Sequence, residues 1–205
     1  PTFNGATPWD SANLNFAAPP AIGTTTPAAV NANGGTLNAV SIGLTSPGAA
    51  QFSQLVMTGP FTPLSTSGIK GTTTNDSPAA GSIGENPSNS TSSVSMTNNT
   101  PANCTSESLT AGNWMVWGVI SFVPNSGTTV TQIVAGIGTT SATLPANGAF
   151  SSIAATLTAS ANQALATPPV TLKLASTTTV FLVGQSQFAT STMTCTGNIF
   201  ALRIR

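Results

Sequence analysis

Apolar positions fall into two regimes along the chain. Through about the first 70 residues they are sparse and broken by proline, as in FAAPPAIG, SPGAA and GPFTPLSTSG. Proline has no N–H to contribute to a ladder, so these stretches do not suit central strands. From about residue 92 onward, short Val/Ile/Thr/Phe runs alternate with turn clusters such as PNSG, LPANG and TPP. The runs are VSMT (94–97), CTSESL (104–109), WMVWGVISFV (114–123), TVTQIVAGIG (129–138), FSSIAATLTA (150–159), VTLKLA (170–175), TTVFLVGQSQF (178–188) and CTGNIFALRIR (195–205). Eight short strands at regular spacing predict a jelly-roll-like antiparallel β-sandwich. No window shows a clean 3.6-residue period and good helix formers are thin, so the chain reads as all-β.

Two of these strands are apolar on both faces. In 114–123, Trp114, Val116, Ile120 and Phe122 share one face by the period of two, and Met115, Trp117, Val119 and Val123 share the other. In 178–188, Val180, Leu182 and Phe188 lie opposite Phe181 and Val183. One face of each strand can pack on the second sheet. The other needs a cover, either a neighbouring subunit or a loop. The candidate core and interface residues are therefore Trp114, Trp117, Ile120, Phe122, Phe181, Phe188 and Phe200.

The N-terminal regime nearly repeats itself. IGTTTPAAV occupies 22–30 and IGLTSPGAA occupies 42–50; Leu37 follows the first copy, and Phe52 and Leu55 follow the second. A fixed period marks a unit that buries its apolar residues against copies of itself, and a plain linker is the alternative. Residues 71–91 are polar and turn-rich, with Asn75-Asp76-Ser77-Pro78 supplying turn chemistry. The expected division is an N-terminal segment (1–21), an extended repeat (22–70), a linker (71–91) and the sandwich (92–205).

Composition removes several functions. Only 4% of the 205 residues are charged, four basic against four acidic, whereas soluble domains carry about 25%. No basic stripe addresses nucleic acid and no polybasic run addresses an anionic membrane. Histidine is absent, and with it the commonest general base and metal ligand. The carboxylates are Asp10, Asp76, Glu85 and Glu107, scattered through loop-like sequence. Catalysis and metal binding need such groups to converge, so neither an enzyme nor a metal or other cofactor is expected.

The apolar run 114–123 is half the length of a transmembrane helix. No charged and apolar leader opens the chain, and Pro1 reads as the product of a trimmed initiator methionine. Cytoplasmic synthesis without a signal peptide is the expectation. Cys104 and Cys195 match no CxxC pattern; they are either two small buried hydrophobes or one disulfide between distant strands.

Four phrases carry a resemblance over roughly residues 68–205. GTTTNDSPAAGSIGE, VSMTNNTPANCTSESLTAGNWMVWGVISF, TTTVFLVGQSQF and the ending GNIFALRIR resemble, in this order, a domain common in bacteriophage and prophage structural proteins. Phe181 stands where that family usually has Tyr, and Leu202 where many members have Arg, so contacts made by those polar groups are not carried over. The N-terminal repeat resembles units of phage fibre sequences.

The resemblance implies a short trimeric fibre on the virion surface, at head or tail. Its shaft axis would be lined by Ile22, Leu37, Ile42, Phe52 and Leu55, its sandwich displayed for host attachment. Residues 1–21 would anchor it to other virion proteins, with Trp9 and Asp10 as candidate anchor residues because aromatics dominate docking pockets. Two further readings stand beside it. One is a capsid-stabilising decoration protein without a receptor role. The other is a module that binds host cell-surface glycan through Trp117, Gln185 and Gln187, although Trp117 in so apolar a strand suits a core or an interface.

The ending offers one more pair of readings. In FALRIR, Phe200, Leu202 and Ile204 alternate with Ala201, Arg203 and Arg205. This is either a solvated strand end or an integral strand that buries Phe200, Leu202 and Ile204. In the second reading Arg203 pairs with a scarce carboxylate, Glu107 being the first choice. The resembling domains also end at this phrase, which favours the integral strand.

Overall fold

A computed structural model describes residues 58–60, 71, 73–75 and 78–205. The chain divides between Ile69 and Lys70, and every strand described here belongs to the C-terminal unit. Trp9, Asp10, Ile22, Leu37, Ile42, Phe52 and Leu55 lie outside the described residues.

No helix occurs among the described residues. The nine strands are β1 (Ser88–Met96), β2 (Ala102–Leu109), β3 (Gly112–Pro124), β4 (Thr129–Gly138), β5 (Phe150–Ala154), β6 (Gln163–Ala166), β7 (Val170–Leu174), β8 (Thr178–Ala189) and β9 (Met193–Arg203). β1 begins inside the stretch expected to be linker. Its sequence SNSTSSVSM looks like a loop because it is an edge strand, with only Val94 and Met96 turned toward the core. A bulge between Thr91 and Val94, with Ser93 at φ 58°, twists this edge, a common way to blunt it against further pairing. β6 has no counterpart among the expected strands, since QALA has no bulky run. The run at 150–159 pairs only over its first half, as β5.

All pairing is antiparallel. One sheet has the order β1-β9-β3, with the far edge of β3 shared by β7 and then β6; the other has the order β2-β8-β4-β5. β6 and β7 are one strand in two pieces. Pro168 and Pro169 between them have no N–H to give. Thr167 spans the gap: its N–H bonds to the Gly118 carbonyl at 2.9 Å, and its hydroxyl accepts from the Gly118 N–H at 3.0 Å. Counting the two pieces as one, two four-stranded sheets in this order make a jelly roll.

The core follows the period of two. Trp114, Val116, Ile120 and Phe122 of β3 point inward and are fully buried, against Leu182, Val180 and Ile133 of the second sheet. Phe188 also lies inward. Where the sheets close on each other, Cys104 of β2 and Cys195 of β9 form a disulfide with Cα atoms 5.7 Å apart. Glycines make room for it. A Cβ on Gly184 would meet Cys104 Sγ at 2.8 Å, and one on Gly197 would meet the Cys104 backbone at 2.9 Å.

The second faces of the two-sided strands have different fates. On the second sheet Val134 and Val183 face outward yet are buried. The connection 139–149 folds back over this face. Pro145 sits so close to Gly136 that a Cβ there would meet its Cδ at 2.7 Å. Asn103 of β2 pins the same connection, donating to Ser141 Oγ and accepting from the Ala142 N–H, both at 2.7 Å. Phe181 lies on this outer side, half-buried. On the first sheet the outer face carries Met115, Trp117, Val119 and Val123, each half-buried.

The phase of the last strand is the reverse of the expectation. Ala201 and Arg203 are buried, whereas Phe200 is 37% exposed and Ile204 42% exposed. β9 is central to its sheet, paired with both β1 and β3. Its inward rungs meet the inward residues of β3, so the apolar Phe200 and Leu202 fall on the outer face beside Trp117 and Met115.

Candidate functional site

Three features of the sandwich concentrate side-chain chemistry. The first is a clasp around Arg203. Residues 84–87 continue the line of β1 along β9: Gly84 N–H donates to the Arg203 carbonyl at 3.0 Å, Arg203 N–H to Glu85 O at 2.8 Å, and Ala201 N–H to Pro87 O at 3.0 Å. This carries Glu85 to Arg203, whose Nε donates to Glu85 Oε2 at 2.8 Å. Nη1 donates to the Ala111 carbonyl at 2.8 Å, and Nη2 to Thr110 Oγ1. The guanidinium lies 4.2 Å from the centre of the Trp114 ring, and Trp114 Nε1 donates to the Thr110 carbonyl at 2.9 Å. Gly112, at φ 145°, leaves the space that Arg203 Nη1 fills.

The expected partner Glu107 is not in this clasp. It belongs to β2 in the opposite sheet, and its Oε1 accepts the Ser108 N–H. The inward turn of Arg203 aims it at the β2–β3 connection and at Glu85 instead. Arg203's hydrogen bond, followed by that from the Gly81 N–H, holds the Glu85 carboxyl below its ordinary value. Among the described residues no buried side-chain nitrogen or oxygen of the clasp lacks a hydrogen-bond partner, so it is a structural lock.

The second feature is a polar cleft of about 330 Å3 where β1 crosses to the second sheet. Asn98, Asn99, Thr129, Thr131, Gln187, Phe188 and Ala189 line it. The turn carrying the two asparagines is fixed to β8. Asn99 N–H donates to the Ser186 carbonyl at 2.8 Å, and the Phe188 N–H donates to Asn98 Oδ1 at 2.9 Å. Gln185 Nε2 donates to the Asn99 carbonyl and Oδ1 at 2.9 and 3.0 Å.

The third feature is the outer face of the first sheet. Trp117 and Phe200 are register partners on β3 and β9, their rings stacked with centroids 5.9 Å apart and planes 22° apart. Met115 pairs with Leu202 on the same sheet, and Val119 with Ala166 on the β6 side. Gln185 and Gln187 thus meet near one cleft, but Trp117 lies on the other sheet and does not join them.

Among the described residues no group of three or more His, Cys, Asp or Glu is placed to hold a metal ion. No helix among them is long and apolar enough to cross a membrane.

No family model and no curated protein matches the chain. Among solved structures the chain is similar to three from infectious bursal disease virus, each at 10% identity. They are the viral particle (TM-score 0.37, over 58% of this chain and 31% of that one), the Gx strain (0.37, 58% and 32%) and the VP2 subviral particle (0.33, 59% and 31%). The aligned part thus spans about a third of each of those chains.

Proposed function

We propose that the chain is a bacteriophage-type virion surface protein: a short trimeric fibre whose N-terminal part attaches to the particle and whose jelly roll is displayed toward the host. It works by binding and not by catalysis. The observation that carries the reading is the apolar band on the outer face of the first sheet, where half-buried Met115, Trp117, Val119 and Leu202 lie beside the exposed Phe200. Monomeric proteins rarely leave such a contiguous patch open, and the buried centres of homo-oligomer interfaces have this aromatic and aliphatic character. The covered outer face of the other sheet sharpens the contrast within one domain. The N-terminal repeat and the phage-like phrases point the same way. A surface with so few charges gives a particle bearing many copies little non-specific electrostatic binding.

Antibodies against the sandwich, applied to intact particles and imaged by electron microscopy, test the assignment. Label at discrete projecting sites is the expected result. Label spread over the capsid faces would favour a decoration protein, and its absence from particles whose host lysate contains the protein would overturn the reading.

A further inference from the structure

We propose that the cleft at the β1–β2 corner binds a neutral saccharide. Its lining is amide, hydroxyl and a little apolar surface. The Nδ2 atoms of Asn98 and Asn99, Gln187 Oε1 and Thr129 Oγ1 make no hydrogen bond within the described residues. Exposed residues of the lining therefore offer both free donors and free acceptors, as sugar hydroxyls require, each hydroxyl being both donor and acceptor. Exposed Ala189 adds a small apolar surface, while Phe188 is turned into the core.

Other ligand classes fit worse. No charged residue lines the cleft, so nothing there balances a phosphate or a carboxylate. A peptide cannot add as a strand at this edge of β8. The Ser186 carbonyl and the Phe188 N–H are already taken by Asn99 and Asn98. The volume of about 330 Å3 is at the lower end of ligand clefts and suits a single sugar or a terminal disaccharide. The geometry is set before a ligand arrives, because the asparagine turn is held to β8 by backbone and Gln185 bonds, which lowers the ordering cost of binding.

The inference rests on the display reading only for the source of the sugar, a host surface. The cleft lies within one chain and does not need the trimer. Ligand-observed and amide-shift NMR on the full chain, with glucose, galactose, mannose, N-acetylglucosamine, maltose and lactose as probes and galacturonate as the charged control, tests it. At least one neutral probe is expected to bind, with shifts confined to Asn98, Asn99, Thr129, Thr131, Gln187, Phe188 and Ala189.

Gln187→Ala and Thr129→Ala should weaken that binding about tenfold in combination, the size expected for two lost hydrogen bonds to ligand, with melting unchanged. Neither side chain is a main support of the turn, since Gln187 reaches Asn99 Oδ1 only at 3.4 Å. Lys173→Ala, on β7, should leave binding as it is. The proposal fails if none of the neutral probes binds, if only galacturonate binds, or if the double variant binds as well as the parent. A monomer that binds sugar would contradict the trimer and leave this proposal standing; a trimer that binds none would do the reverse.

Discussion

Replacing Cys104 and Cys195 together by alanine is expected to lower the melting temperature of the sandwich by about 10–15 °C. The bridge spans 91 residues of sequence, and closing a loop of that length removes about 4.5 kcal/mol of chain entropy from the unfolded state. It joins β2 of one sheet to β9 of the other, so it also restrains the separation of the two sheets on opening. Circular dichroism melts of the oxidised parent and the double variant measure the difference. A shift of only a degree or two would mean that the bridge does not constrain the unfolded chain.

Arg203→Ala is expected to cost about 3 kcal/mol, the low end for breaking a buried ion pair. The side chain of Arg203 is 5% exposed and that of Glu85 is 16% exposed, so the orphaned carboxylate can partly rehydrate. The loss also strips the ring face of Trp114 and the acceptors at Thr110 and Ala111. Arg203→Lys should not restore stability, because an ammonium cannot reproduce the fork that reaches three partners.

The clasp also has a pH signature. The folded Glu85 carboxyl titrates below its unfolded value. Its contribution is therefore complete above the ordinary carboxylate range, about pH 4, and is lost as pH falls through the depressed folded value. Urea unfolding across that range should show a steeper acid loss in the parent than in Arg203→Ala. Parallel profiles would contradict the assignment of the pair.

The strand alternation of β3 and β8 is legible in the sequence because buried apolar residues repeat every second position, and the sandwich follows from it. The clasp is only half legible. Arg203 stands out as one of four basic residues, but its proximity to Glu85 depends on the 84–87 segment extending β1 along β9, which no local pattern announces. A signal does exist. The phrases GSIGE, LTAGNW and RIR converge in space as Glu85, Thr110 to Trp114, and Arg203.

The phase of β9 runs against its hydrophobicity for a physical reason. Hydrophobicity alone assigns Phe200 and Leu202 inward, whereas Arg203 is carried inward by its four-way partnership and Phe200 outward onto Trp117. The cover over the second sheet is equally invisible in the sequence, since the 139–149 connection reads as an ordinary polar loop until Asn103 ties it down.

The proposed trimer stands or falls on the apolar outer face of the first sheet. Native mass spectrometry of the full chain at low micromolar concentration, beside a Trp117→Ser/Phe200→Ser variant, measures this directly. Both side chains lie on the outer side of the sheet, so the variant should keep its fold and its circular dichroism spectrum. The expected result is a parent species at three times the 20.3 kDa chain mass and a variant shifted toward monomer. A parent that is monodisperse at a single chain mass, or a trimer indifferent to both substitutions, would contradict it.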